Sequence, residues 1–437
     1  MSAYPGFRLP RLLLPRPGVD LTRWAVVACD QYTSEPAYWQ RVERFVGDAP
    51  STLQLIFPEV YLEAADAAAR IARIQAAMRR YRAEGLLVEQ DGAVLVERTV
   101  GGATRRGLML ELDLDHYDFS PTSTSLIRPT EGTMVARLAP RIAVRREAEL
   151  ELPHILVLID DPDDRVIGPL VAARSGLRSL YDIELMEGGG HVSGRALDAV
   201  HAVHAADALA GLARPEVFEP RYGVPPGTPP MLFAMGDGNH SLATAKAIWD
   251  EARARVGPEH PSRWALVEVV NIHDPALHFA PIHRVLFGVR ADLRAALSAA
   301  FGSQVAVHAA AGGDAMRERV AAAPAGLQAI GLVEPGGRCS VIEIGGAPEP
   351  LAVGTLQAWL DRLLADGGAA QIDYVHGDDV LERLGAQAAC AGFHVPTLSK
   401  HELLTRVVHE GPLPRKTFSM GEAHEKRFYV EARRIRG

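Results

Sequence analysis

The sequence is poor in cysteine and has no long apolar run. Only three cysteines occur among 437 residues, at Cys29, Cys339 and Cys390, with no CxxC pair and no metal-ligand spacing. They are expected to be buried thiols in a reducing compartment, so the protein is predicted to be cytoplasmic. No apolar stretch approaches the roughly 20 residues of a membrane-spanning helix. The N-terminal leucine run is broken by prolines, unlike a signal peptide, and no membrane partner is expected.

An excess of positive charge is also lacking. Lys and Arg number 46 against 54 Asp and Glu, which gives a net charge of -8. This balance argues against a protein that holds nucleic acid over a broad basic surface. The expected partner is therefore a small molecule, and a local basic pocket for a small anion is compatible with the sequence. The oligomeric state, a homo-oligomer included, stays open.

The chain is long enough for two or three compact domains of ordinary globular composition. Hydrophobic residues make up 48% and charged residues 23%, which is typical of a folded chain. Strand and helix patterns occur in mixed order. They include a long amphipathic helix through Ile71 and Met78, alternating strands at 92–118 and a buried strand in HILVLIDDP (154–162). The fold is predicted to be α/β to α+β with a mixed sheet.

A glycine turn between a strand and a helix is the most informative segment. The apolar run MLFAM (231–235) predicts a buried strand that ends at Gly236-Asp237-Gly238, and helical spacing begins at Asn239. The unsatisfied N–H groups and the dipole of a helix N-terminus favour an anion. Gly238 would let a phosphate approach the backbone, and Asn239 or Ser241 can cap the helix. A plain capped helix is the alternative interpretation.

The same turn partly matches the dinucleotide fingerprint G-x-G-x-x-G. It reads Gly236-x-Gly238-x-x-Ser241, and the acidic Asp274 follows the next strand. The third glycine is missing, and Asp237 would place negative charge beside a pyrophosphate. An NAD(P)-dependent oxidoreductase is therefore kept only as a third function.

Histidine is frequent but has no zinc-binding spacing. Three of the 16 histidines, His273, His278 and His283, lie within eleven residues, without an HExxH motif or paired His/Cys spacing. Solvated or hydrogen-bonded histidines are expected here rather than a zinc site. The P-loop pattern is absent, which excludes kinases of that class.

Five segments of the chain carry a family resemblance together with the turn. DGNHSLATAK (237–246) resembles the D-G-H-H-R turn of domain of unknown function 1015, and it is similar to the phosphate-binding turn of the ParB and sulfiredoxin superfamily, which includes free-serine kinases. The five segments are ACDQYTSEP, LQLIFPEVYLE, RPTEGT, APIHRVLFG and LPRKTFSMGEAHEKRFY. The resemblance implies a ParB-like nucleotide- or phosphate-binding core at 1–290, a smaller α/β lobe at 291–400, and a segment at 401–437 that returns to the core.

The superfamily likeness also implies a function and roles for the turn. It implies Mg²⁺-dependent phosphoryl transfer from ATP or ADP to a small hydroxyl metabolite, with free serine as the leading acceptor. Asp237, Gly238 and His240 match the motif, with Asp237 expected to hold Mg²⁺ and His240 to contact the transferred phosphoryl group. Asn239 replaces the first histidine and keeps a donor. Ser241 stands where the superfamily has arginine, so a guanidinium is missing from the phosphates.

Three basic residues are candidates to supply that missing charge. They are Arg128, Arg284 and Lys416, of which Lys416 lies between prolines in a stiff loop. His283, next to Arg284, is a candidate for pairing with a carboxylate or phosphate of the substrate. If no cation takes the place of the arginine, the chain is instead a non-catalytic nucleotide- or phosphometabolite-binding sensor, which is the second function considered.

Two carboxylates are candidates on the acceptor side. Glu131 in RPTEGT is the predicted general base that would orient the acceptor hydroxyl and take its proton. Asp30, after the first strand, is the second candidate and is equally suited to binding a substrate ammonium group.

Overall fold

The computed structural model describes residues 4–134 and 138–436. The chain divides into two compact units. The first comprises Met1–His278, Leu403–Pro412 and Met420–Gly437, and the second comprises Phe279–Glu402 and Leu413–Ser419. Each unit contains its own sheet and helices. The predicted fold class, a mixed α/β fold with a mixed sheet, is confirmed.

Thirteen helices lie within the described ranges, and none of them is long and apolar enough to cross a membrane. The predicted amphipathic helix through Ile71 and Met78 is confirmed as α3. The helices are α1 (Leu21–Trp24), α2 (Pro36–Val46), α3 (Ala67–Ala83), α4 (Leu138–Arg145), α5 (Gly168–Ala173), α6 (Ala199–Gly211), α7 (Pro215–Tyr222), α8 (Asn239–Val256), α9 (Leu293–Phe301), α10 (Gly313–Ala321), α11 (Ala352–Ala365), α12 (Asp378–Gly385) and α13 (Lys400–Glu410).

Strands are numbered in chain order through both units. They are β1 (Phe7–Arg8), β2 (Arg11–Pro15), β3 (Val26–Val27), β4 (Leu87–Asp91), β5 (Val94–Val100), β6 (Ala103–Asp113), β7 (Ile127–Arg128), β8 (Leu150–Glu151), β9 (Leu156–Ile159), β10 (Arg178–Leu185), β11 (Gly190–Ala196), β12 (Phe233–Asp237), β13 (Trp264–Asn271), β14 (Phe279–Pro281), β15 (His283–Phe287), β16 (Val305–Ala310), β17 (Leu327–Glu334), β18 (Arg338–Gly345), β19 (Gln371–Val375), β20 (Cys390–His394), β21 (Phe418–Met420), β22 (Phe428–Tyr429) and β23 (Arg433–Arg434).

The first unit is built on a large mixed sheet. Its strand order is β10-β11-β5-β6-β13-β9-β12-β7, with β1 paired to β6. The β13–β9 and β12–β7 pairs are parallel, and the other pairs are antiparallel. The strand that carries the glycine turn, β12, therefore lies next to the end of the sheet, between β9 and β7.

Both faces of this sheet are covered, as the alternation along β5 shows. Leu95 packs in a buried cluster with Leu209 of α6 and Trp249 of α8. Its neighbours Val94 and Val96 point to the opposite face. There they pack in a second cluster with residues that include Trp39 of α2 and Phe428 and Tyr429 of the C-terminal segment.

The second unit is a six-stranded antiparallel sheet with helices on both faces. Its strand order is β16-β18-β17-β20-β15-β19. On β17, Ile330 packs in a cluster with α9 and α11, while Val333 packs in a cluster with Met316 of α10. Because both faces of β17 are covered, its sequence is a nearly continuous apolar run.

A buried ion network fastens the C-terminal segment to the large sheet. The Arg427 guanidinium pairs with Glu268 of β13 and with Glu431, and its Nε donates to the Pro153 carbonyl at 2.9 Å. Tyr181 of β10 donates its hydroxyl hydrogen to Glu431. Burial lowers the pKa of Arg427, but the two carboxylates raise it by more, so this side chain stays charged.

Replacing Arg427 with alanine is expected to destabilise the protein by about 3–5 kcal/mol, because Glu268 and Glu431 would remain buried without a counter-charge. Chemical denaturation monitored by circular dichroism measures the change. Arg146→Ala is the control, since its ion pair with Glu251 (2.9 Å) is about half exposed on both sides and is expected to cost less than about 1 kcal/mol. Equal costs for the two variants would contradict this account of the network.

Candidate functional site

The predicted strand-to-helix turn is present, and both of its glycines lie close to neighbouring atoms. Gly238 has φ of +80°, and a Cβ there would lie 3.1 Å from the Cα of Ile155. At Gly236, a Cβ would lie 2.7 Å from the Cε of Met420 and 3.1 Å from the Leu156 carbonyl oxygen. The left-handed backbone at Gly238 favours glycine, whereas a Cβ at Gly236 would displace the flexible end of the Met420 side chain.

The turn leaves the start of an 18-residue helix without a side-chain cap. Gly238 is the cap residue of α8 and has no side chain to accept from the first amide groups. The side-chain oxygen of Asn239 is buried and has no hydrogen-bond partner among the described residues. Such polar groups are normally satisfied in a folded protein. The turn therefore combines helix-start donors with a buried polar atom that a ligand or its water can satisfy.

A lysine from the C-terminal segment reaches this turn. The Nζ of Lys426 lies 3.0 Å from Oδ2 of Asp237, and its side chain is only 9% exposed. Oδ1 of Asp237 accepts from the Gly238 amide at 3.0 Å. Lys426 directly precedes Arg427, so the buried network described above also holds this lysine in place.

A second carboxylate, Asp30, lies close enough to Lys426 for the ammonium charge to lower its pKa. Gln31 donates to Oδ1 of Asp30 at 2.9 Å, and Nε2 of His154 lies 3.9 Å from Oδ2. The Tyr429 hydroxyl accepts from the Cys29 amide at 3.1 Å and lies 2.7 Å from Nδ1 of His154. The His154 ring therefore lies between the Tyr429 hydroxyl, at Nδ1, and Asp30, at Nε2.

The pKa values of Asp30 and of the nearby Glu59 are shifted in opposite directions. Burial raises the pKa of Asp30, but His154, Gln31 and Lys426 together lower it to below its ordinary value. Glu59 pairs with Arg141 at 2.5 Å, yet burial dominates and raises its pKa. Asp30 is therefore ionised at neutral pH and suited to accept a hydrogen bond.

The structure places Glu131 near the turn and directs Arg128 away from it. Thr130 donates to the Met235 carbonyl at 2.6 Å, so the next residue, Glu131, lies alongside the end of β12. The Arg128 guanidinium donates to three backbone carbonyls, those of Thr124, Ser125 and Pro229. Pro229 precedes β12, so this guanidinium lies at the opposite end of the strand from the turn.

The other three predicted residues, His283, Arg284 and Lys416, belong to the second unit. Arg284 is fully buried and donates to Gln357 at 3.3 Å and to the Arg415 carbonyl at 3.2 Å. Among the described contacts, Lys426 is a cation that lies at the turn.

The sheet does not provide the setting that the dinucleotide fingerprint needs. A Rossmann unit joins two parallel strands through a helix. Here β12 is antiparallel to β9, while β13, which follows α8, is parallel to β9. The strands on either side of α8 therefore run in opposite directions, and the Gly236–Ser241 turn does not belong to a βαβ dinucleotide fold.

Sequence reasoning missed three residues of this cluster, Lys426, His154 and Glu59. Each lies inside or beside a segment that the sequence singled out, but none carries a motif of its own. A buried strand that begins with a histidine, as HILVLIDDP does, was the one available signal for His154. Nothing local distinguishes Lys426 from the other basic residues near the C-terminus.

A family model described as "Protein of unknown function (DUF1015)" matches residues 13–362. No curated protein matches the sequence. Among solved structures, the chain is similar to a mutant free serine kinase in complex with ADP, at 11% identity and a TM-score of 0.41, over 75% of this chain and 92% of that one.

Two further solved structures show a comparable likeness. A conserved hypothetical protein from Pyrococcus furiosus has 13% identity and a TM-score of 0.38, over 75% of this chain and 95% of that one. SbnI from Staphylococcus aureus has 12% identity and a TM-score of 0.34, over 72% and 82%. At such scores these likenesses do not say what this chain binds or does.

Replacing Lys426 with methionine is expected to raise the pKa of Asp30, because one of the charges that lowers it is lost. A depressed carboxyl pKa stabilises the fold above the unfolded value, about 3.9, and this stabilisation disappears as pH falls through the folded value. Acid unfolding of the variant therefore begins at higher pH. Carboxyl ¹³C NMR titration measures the pKa. Lys246→Met, which breaks a 2.9 Å pair with Asp250 within α8, is expected to leave it unchanged.

Proposed function

The chain belongs to the DUF1015 family, whose description gives no activity. We propose that it catalyses Mg²⁺-dependent phosphoryl transfer from ATP or ADP to a small hydroxyl metabolite. The resemblance to the superfamily that includes free-serine kinases makes free serine the leading acceptor, and the geometry of the turn supports a phosphate site. The observation that carries this proposal is the position of Lys426, 3.0 Å from Asp237 at the uncapped start of α8. A buried cation and a helix N-terminus in one place favour bound phosphate.

The nucleotide phosphates lie against the turn in this proposal. Gly238 has no Cβ, so a phosphate oxygen can approach the backbone amides at the start of α8. Asn239, His240 and Ser241 form the first turn of the helix, and His240 contacts the transferred phosphoryl group. The buried oxygen of Asn239 gains a partner from the ligand or its water.

Lys426 supplies the positive charge that Ser241 does not. A lysine ammonium is a compact point charge without the bidentate geometry of arginine, but it is sufficient to bind phosphate. Its 9% exposure means that water screens it little. The ammonium has three donors, so it can contact a phosphate oxygen and retain Asp237.

The carboxylates near Lys426 fit a magnesium ion. Mg²⁺ is usually bound by one or two carboxylates together with substrate phosphates and water. Asp237 and Asp30 offer such oxygens, and Lys426 lowers the cost of holding two carboxylates close together. When bound, the ion would neutralise charge on the phosphate oxygens.

The acceptor hydroxyl is oriented by a carboxylate. Asp30 is ionised at neutral pH, and His154 and Gln31 fix its position. It accepts the hydroxyl hydrogen, or it binds an ammonium group of the acceptor. Glu131, beside the end of β12, is the other candidate carboxylate. It serves as general base if the acceptor hydroxyl approaches from the end of β12.

One observation favours a second candidate function, a non-catalytic nucleotide sensor. Ser241 stands where the superfamily motif has arginine. A lysine held in an ion pair stabilises a transferring phosphoryl group less well than that arginine would. A sensor would bind nucleotide through the same turn and show no turnover.

Calorimetric titration with Mg²⁺-ATP and Mg²⁺-ADP tests the phosphate site. Wild type is expected to bind at least one of them, and Lys426→Met to bind about 10- to 100-fold more weakly, the range for losing a charged hydrogen bond. Asp237→Ala is expected to weaken binding as well, whereas Lys246→Met keeps wild-type affinity. If wild type binds neither nucleotide at millimolar concentration, both the kinase and the sensor are wrong.

Phosphoryl transfer is tested by ³¹P NMR of the protein with nucleotide, Mg²⁺ and free serine, followed by other small hydroxyl metabolites. A new phosphomonoester signal is expected. Asp30→Asn is expected to reduce kcat by about 10²- to 10⁴-fold while nucleotide affinity is retained. Nucleotide binding without turnover on any acceptor would identify the sensor instead.

A further inference from the structure

Two buried histidines of the second unit converge on one carboxylate oxygen. Nε2 of His283 lies 3.2 Å, and Nδ1 of His394 lies 2.9 Å, from Oδ1 of Asp378. All three potential ligand atoms lie within 4.8 Å of one another. Both histidine side chains are nearly buried, at 2% and 11% exposure, and their ring centroids are 4.7 Å apart.

The fold brings these side chains together from distant positions in the sequence. His283 begins β15 and His394 ends β20, and these strands are antiparallel neighbours, with Arg284 opposite Phe393. Asp378 begins α12, which packs on β15 through Leu381. Three rigid elements therefore fix the cluster, as a preorganised ligand set requires.

The distances between the potential ligand atoms suit metal coordination. Bonds of about 2.0–2.1 Å in a tetrahedral zinc site put neighbouring ligand atoms roughly 3.3 Å apart, close to the 2.9 and 3.2 Å found here. The ligand atoms therefore already lie at about the separations that a bound ion requires.

We propose that His283, Asp378 and His394 bind one divalent first-row transition-metal ion, with water in the remaining position. Two imidazoles and a carboxylate suit zinc and its neighbours better than Mg²⁺ or Ca²⁺, which prefer oxygen ligands alone. This site lies wholly within the second unit and does not depend on the function proposed for the turn.

Arg317 orients the Asp378 carboxylate, and the Val395 amide must give up a hydrogen bond when metal binds. Nε of Arg317 lies 3.7 Å from Oδ2 of Asp378 and so directs Oδ1 toward the histidines. The Val395 amide donates to Nδ1 of His283 at 3.2 Å. Metal on Nε2 moves the ring hydrogen to Nδ1, so this hydrogen bond breaks on binding. The Val395 amide and the ring N–H then face each other, so the amide has to move on binding, a cost that three metal–ligand bonds offset.

Zinc titration of the full chain, freed of metal by a chelator, tests the site in competition with a chromophoric indicator. Wild type is expected to bind one equivalent tightly. His394→Ala and Asp378→Asn are expected to lose more than about 100-fold in affinity. His308→Ala is the matched control, because His308 pairs with Glu343 at 3.3 Å in the same unit without a third ligand, and it is expected to bind like wild type.

Two spectroscopic measurements distinguish coordination from a merely structural cluster. Co²⁺ is expected to give visible absorption typical of low coordination number in wild type and to lose it in Asp378→Asn. In amide NMR spectra, the Val395 resonance is expected to shift on zinc addition. Circular dichroism verifies that each variant is folded, and His394→Gln replaces His394→Ala if the latter is not.

The proposal is overturned if wild type fails to bind one equivalent of zinc or cobalt. It is equally overturned if folded His394 and Asp378 variants bind zinc as tightly as wild type, because the ion would then occupy another site.

Discussion

The buried pairing of Arg427 with Glu268 and Glu431 is the interaction on which the site of the first unit depends. It fixes the last turns of the chain against the central strand β13. Because a charged arginine buried beside two carboxylates tolerates little displacement, the preceding residue is fixed as well. That residue is Lys426, and its position 3.0 Å from Asp237 brings a cation to the glycine turn. A tail held only by surface contacts would not do so.

The turn itself is a local structure, whereas its charge comes from a distance. Gly238 adopts a left-handed backbone close to Ile155, and the helix start that follows provides amide donors. Ser241 gives this local structure no positive charge. The C-terminal segment corrects that deficit and also lowers the pKa of Asp30. One ammonium group therefore both contacts Asp237 and lowers the pKa of Asp30.

The two units hold polar clusters of different chemistry. Around the turn, Lys426 pairs with Asp237 and lies near Asp30, and the ligands that we propose there are phosphate and magnesium. In the second unit, two imidazoles share the Asp378 carboxylate, a set that suits a softer ion. The sequence argued against zinc because its closely spaced histidines lacked a binding motif. The cluster found instead joins positions 283, 378 and 394, a combination that spacing along the chain cannot indicate.

The sequence by itself determined the mixed α/β class, the family and the glycine turn, because each follows from short-range patterns. An apolar run, two glycines and helical periodicity specify a strand, a turn and a helix without reference to the rest of the chain. Only the tertiary structure decided which side chains meet there. It brought Lys426 and His154 to Asp237 and Asp30, directed the Arg128 guanidinium to the other end of β12, and assigned His283, Arg284 and Lys416 to the second unit. The physical reason is that a basic residue carries the same charge wherever it lies, and only strand order and burial decide which carboxylate it neutralises.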